Sequence, residues 1–170
     1  YFKMKNMKTI INKILLLVTF SLLLMSCKKE GTMVAVSTAV PGALTTSVSS
    51  VVLSKPNLNV EAIKVSFGQP VFGFSIAAVN TLQIAKAGTN FAAPKEIIFD
   101  AGVTSKSITN LELNDIALAM NLAPEVAASL EFRVKTVIST SIAAVYTNVK
   151  SVSVTPFALK GTLYMPGAYQ

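Results

Sequence analysis

The feature that most constrains this chain is a run in which apolar and charged side chains alternate without a break. In Leu130-Glu131-Phe132-Arg133-Val134-Lys135-Thr136 the residues Leu130, Phe132 and Val134 are apolar and the residues between and after them, up to Lys135, are charged. A strand sends successive side chains to opposite faces, so this pattern predicts Leu130, Phe132 and Val134 inside and Glu131, Arg133 and Lys135 in water. The same period recurs in Ile63, Val65 and Phe67 with Lys64 and Ser66 between them, and in Leu82 and Ile84 between Thr81, Gln83 and Ala85. Asn148 to Thr155 is rich in valine and reads as a terminal strand. Val149 is out of phase with Val152 and Val154, which predicts a bulge near Ser151, and Pro156 is expected to stop the strand.

One segment departs from period two. In LELNDIALAMNLAP, Leu113, Ile116, Ala117 and Met120 fall at helical spacing. Asn114 or Asp115 is the expected cap and Pro124 closes the segment, giving a helix of about two turns. Gly68, Pro70 and Gly73 mark a loop between strands rather than a ligand cradle, and Pro41-Gly42 marks a turn. Many short strands with one brief helix make an all-β sandwich, for which residues 45–157 supply the roughly 100 residues needed.

Composition closes several kinds of chemistry. Histidine is absent, which removes the commonest general base and neutral metal ligand, and the single cysteine allows no cysteine-rich zinc site. No phosphate loop, acidic calcium loop or nucleophile turn is present, so no catalytic residue, metal or cofactor is expected. The chain has 15 basic and 8 acidic residues, but Lys3, Lys5, Lys8 and Lys13 all precede the cysteine. Residues 27–170 keep a net charge of only +3 and show no basic cluster. Nucleic acid is therefore not an expected partner.

The basic stretch leads into ILLLVTFSLLLM, residues 14–25, a 12-residue apolar run. Spanning a bilayer takes about 20 such residues, so the run fits a secretory signal better than a membrane helix. Tyr1, Phe2 and Lys3 precede the first methionine, and Met4 or Met7 is the expected start of translation. Leu24-Met25-Ser26-Cys27 resembles a bacterial lipobox, which implies cleavage between Ser26 and Cys27 and acylation of the Cys27 thiol. Two or three acyl chains hold a protein at a membrane where one holds it only marginally. The expected organisation is a lipoprotein signal peptide over 1–26, a tether over 27–44, the sandwich over 45–157 and the start of a further domain over 158–170. Lys28-Lys29-Glu30 reads equally as a surface-export signal and as a solvated spacer.

Four stretches carry a family resemblance. Asn80-Thr81-Leu82-Gln83-Ile84-Ala85-Lys86-Ala87-Gly88-Thr89-Asn90-Phe91 resembles the "YTLQ-x-D-x-x-G-x-x-F" strand and turn of SusE-like lipoproteins from Bacteroidetes starch-utilisation-type systems. Glu112-Leu113-Asn114 is similar to their "LN" element, and Ala128 to Lys135 to their "A-x-x-L-x-x-R-V-x-A" strand. Tyr146-Thr147-Asn148-Val149 with Thr155-Pro156 resembles their closing "Y-S-N-V…T-P" strand. Phe67 stands where the family often has Trp, and Asn121 where it often has Gly. The resemblance implies an immunoglobulin-like or fibronectin type III-like β-sandwich. Gly161 to Gln170 resembles the opening strand of the next domain, whose truncation here would leave the family's glycan-binding domains missing.

The resemblance further implies a non-catalytic, lipid-anchored outer-membrane protein displayed at the cell surface. Its implied partners are the membrane, a TonB-dependent porin, a glycan-binding lid lipoprotein, and polysaccharide through domains beyond this fragment. No glycan-binding residue is identifiable from the sequence. An adhesion or envelope-scaffold module is the alternative, because this fold hosts many roles. Asp100, Glu112, Asp115, Glu125 and Glu131 read as solvated surface acids, since no motif joins two of them into the carboxylate pair of a glycosidase.

Overall fold

The computed structural model describes residues 39–73 and 76–159, and the single residue Lys13. Within them the sequence alternation becomes nine strands: β1 Leu44–Thr46, β2 Ser50–Val52, β3 Glu61–Phe67, β4 Val79–Lys86, β5 Lys95–Ile98, β6 Ser105–Thr109, β7 Ala128–Val137, β8 Val145–Tyr146 and β9 Lys150–Thr155. The helix α1 (Asn110–Ala119) connects β6 to β7. β1, β3 and β6 form a three-stranded antiparallel sheet. The other sheet runs β2-β9-β7-β4-β5, with β8 on the end of β7. Among the described strands only the β2–β9 pairing is parallel, so the residues before β3 divide between the sheets. This all-β sandwich with one short helix is the expected architecture.

Alternation sets which side chains meet between the sheets. Leu44, Ile63, Val65 and Ile108 come from the smaller sheet, and Leu82, Ile84, Leu130, Phe132, Val134, Val152 and Val154 from the larger. All are essentially inaccessible to solvent. Burying such a side chain contributes on the order of 1.5–3 kcal/mol, so this layer dominates the stability. Phe67 packs its ring on Phe99 with centroids 4.9 Å apart.

The helix starts earlier than its apolar spacing predicts. Thr109, not Asn114 or Asp115, is the N-cap: its Oγ1 accepts from the Glu112 amide. Thr109-Asn110-Leu111-Glu112 has the spacing of a capping box, a signal that outranks the first apolar position. Asn114 lies inside the helix instead, fully buried. The helix ends before Pro124 is reached. Asn121 takes a left-handed backbone (φ 58°), its amide donates to the Leu118 carbonyl, and the Leu122 amide donates to the Ala117 carbonyl. This is a Schellman closure, whose left-handed residue is usually Gly and sometimes Asn. The Asn at position 121 thus keeps a conformation that glycine would supply.

The bulge expected near Ser151 is not formed. β9 pairs with β7 in one unbroken register from Ala128↔Val154 to Phe132↔Lys150. Val149 is out of phase because it precedes the strand, where it is exposed. A register shift falls in β3 instead, between Glu61 and Ile63. β9 stops at Thr155, directly before Pro156.

All pairings agree on two ends. Leu44 lies opposite Phe67, Val79 opposite Val137, and Ser66 opposite Ser105. Residues 39–43, 68–73, 76–78, 99–104 and 138–144 therefore gather at one end, the proximal end. The segments 53–60 and 87–94, α1 and the departing residues 156–159 gather at the other, the distal end. At the proximal end Gly42 crosses the Gly68 carbonyl so closely that a side chain there would overlap it.

Candidate functional site

Arg133 projects from the outer face of β7, as the alternation requires. Its guanidinium lies between two rings, 3.9 Å from the centroid of Phe91 and 4.2 Å from that of Tyr146. Its Nε donates to Gln83 Oε1 at 2.7 Å, and Gln83 Nε2 donates to Glu96 Oε1 at 2.7 Å. Gln83 is buried by this cover although it sits on the outward side of β4. Asn90 and Phe91 both take left-handed backbones after Gly88, and that tight turn brings the Phe91 ring over the sheet. A planar cation between two rings with an amide at its edge is a stable arrangement, each ring contact being worth about 0.5–2 kcal/mol.

The remaining motif side chains also make hydrogen bonds within the protein, and among the described residues Asn114 Nδ2 alone is a buried side-chain polar atom without a partner. Thr147 Oγ1 accepts from the Val134 amide at 3.0 Å. Asn148 Oδ1 accepts from the Leu44 amide at 2.7 Å, tying β1 of the small sheet to the segment before β9. Asn80 Oδ1 accepts from Thr136 Oγ1 at 2.7 Å, deep in the larger sheet. Asn114 Oδ1 accepts from the Phe157 amide at 2.8 Å, and the Pro156 carbonyl accepts from the Glu125 amide at 2.7 Å. These side chains lock strands and connections together, so their chemistry is that of a scaffold.

The family described as SusE outer membrane protein matches residues 28–135. The chain belongs to the SusE family. Its place is thereby with outer-membrane proteins. No curated protein matches the chain. The family match covers Gln83, Phe91, Asn114 and Arg133, and the fold explains each: three build the cluster on the outer face and one holds the departing chain.

The acids of this SusE-family chain are only partly separate. Glu112 and Asp115, one helical turn apart on α1, join Glu96 along a groove between α1 and the free edge of β5, with Ile97, Ile116 and Met120 as its floor. Glu96 is the member that sequence spacing could not supply, being 16 residues from Glu112. Two of its three carboxylates already have partners within the fold. Glu96 accepts from Gln83, and Glu112 lies 3.9 Å from the Lys106 ammonium in a largely exposed pair worth about 0–1 kcal/mol. Asp100, Glu125 and Glu131 lie elsewhere, on the β5–β6 turn, beside Pro156 and on β7. Among the described residues no group of acids is placed to hold a metal ion, and no helix is long and apolar enough to cross a membrane. Ser26 and Cys27, the expected cleavage and acylation site, lie outside the described residues.

Proposed function

We propose that this chain is a non-catalytic surface lipoprotein of a polysaccharide capture and uptake system, anchored through acylated Cys27. In this reading the sandwich is the spacer that carries C-terminal glycan-binding domains outward from the outer membrane. The observation that carries it is the path of the chain through the fold. The polypeptide joins the sandwich at the proximal end, where Val40 bridges Val71, and leaves at the distal end, where Phe157 is held by Asn114. The ten-residue strand β7 runs most of the way between, about 33 Å at the usual rise. A module with its two connections at opposite ends holds its N-terminal and C-terminal neighbours apart.

Family membership supports the outer-membrane part of this reading, and the engagement of Gln83, Arg133, Thr147 and Asn148 in bonds within the fold supports a role without catalysis. A TonB-dependent porin and a glycan-binding lid lipoprotein are the proposed partners. Calorimetry of residues 28–160 with starch oligosaccharides is the test. The core closes within residues 44–157, so this piece carries everything its fold needs. The expected result is no measurable binding heat, and tight binding would overturn the spacer role. Neighbouring genes encoding a porin and a lid lipoprotein would favour uptake, whereas pilus or adhesin genes would favour an adhesion module.

A further inference from the structure

We infer that the proximal end of the sandwich is a membrane-apposed surface, resting its loops on the boundary between lipid headgroups and acyl chains. The inference deepens the anchored reading and rests on acylation of Cys27. Its first support is charge. Residues 31–54, 65–85 and 136–149 contain no Asp, Glu, Lys or Arg at all. These three stretches are far apart in sequence, yet the strand pairings bring their turns to one end. Among the described proximal loops the single charged side chain is Asp100.

The second support is exposed apolar surface at the same place. Val40 is 62% exposed, Val71 64% and Val79 54%, with Ile76 and Val103 also open to solvent. Beside them a hollow of about 510 Å³ opens between Pro41, Phe72 and Ile142. Single exposed valines need no explanation, but a charge-free cluster of them at one end of a domain marks an interaction surface.

The third support identifies the occupant. Moving back from this end, the first charged residue on β3 is Lys64 and on β7 Lys135, while Lys106 on β6 is turned to Glu112 of α1. Glu96 on β5 is the exception. Tyr146, 39% exposed, stands at the same level, paired with Lys135. An apolar tip behind which lysines and a tyrosine are set matches an anionic lipid surface, where basic groups meet headgroups and tyrosine favours the interface. The distal end has no such order: Lys86, Lys95, Glu112, Asp115 and Glu125 mix both signs. Chain length agrees. Eleven residues lie between Cys27 and Ala39, a reach of at most about 43 Å over twelve steps. Acyl chains on Cys27 thus keep this end at a higher effective concentration near the bilayer than the distal one.

The test uses the full lipidated chain in vesicles of phosphatidylethanolamine and phosphatidylglycerol. Acylation blocks Cys27, so V71C or K86C supplies the one reactive thiol for an environment-sensitive fluorophore. Lipids carrying a shallow nitroxide should quench the V71C probe several-fold more than the K86C probe, with a blue shift at V71C alone. The V79E substitution, placed in the V71C background, should reduce that quenching severalfold while leaving the thermal midpoint unchanged. A chain that floats with the vesicles yet shows equal or absent quenching at both positions overturns the inference alone. That result would leave the surface to a protein partner or a second copy. A chain that does not float overturns the lipid anchor and the inference together.

Discussion

At the distal end the chain leaves through a buried ring and two short hydrogen bonds, Phe157 to Asn114 and Glu125 to Pro156. At the proximal end its outermost attachment is the exposed bridge between Val40 and Val71. Charged side chains of both signs surround the first, whereas Asp100 is the single charge in the described loops of the second, where Val40 and Val71 stand exposed. The two ends are under different physical demands. Distal residues fix where the next stretch of polypeptide starts, so their loss should appear in stability and local opening. The exposed proximal valines hold little of the fold together, so their loss should appear in what the protein touches.

The largest expected effect breaks the distal end outright. Leu113→Ala would open a cavity under α1 and should cost about 2–5 kcal/mol in chemical denaturation. Next, Asn114→Ala would leave the Phe157 amide without its acceptor, at a cost of about 1–3 kcal/mol. Hydrogen exchange should then speed up at Phe157 while the amides of Val40 and Val71 keep their rates. A smaller loss is expected midway between the ends. Arg133→Met should cost about 1–2 kcal/mol by removing a cation from between two rings and a donor from Gln83. Arg133→Lys should recover only part of it, because an ammonium cannot stack as a plane. Smallest of all, Val71→Ser should change stability by less than about 0.5 kcal/mol, as expected for an exposed site. A destabilisation at Val71 as large as that at Asn114 would erase the contrast between the ends.

The sequence made some of this legible and hid the rest, for identifiable reasons. Strands were readable wherever one face met the core and the other met water, as at 61–67 and 130–136. The start of α1 was obscured because a cap is set by Thr109 and Glu112, while the apolar period begins later. Val149 misled because phase carries no information about where a strand begins. The Arg133 cluster could not be read from spacing, since Gln83, Phe91 and Tyr146 reach it from three separate segments across the larger sheet. Likewise the charge-free character of the proximal end emerges only when the strand pairings bring three distant stretches together. Cys27 is the opposite case, a chemical expectation that comes wholly from its local sequence.

That cysteine offers the most direct test of a lipid-anchored spacer. Cells expressing the full chain should be fed radiolabelled palmitate, beside a Cys27→Ser variant, and membranes washed without detergent. Label is expected in the unaltered protein, which should stay with the membranes, and none in the variant. Equal labelling of both proteins, or an unlabelled chain that washes free, would contradict the anchor.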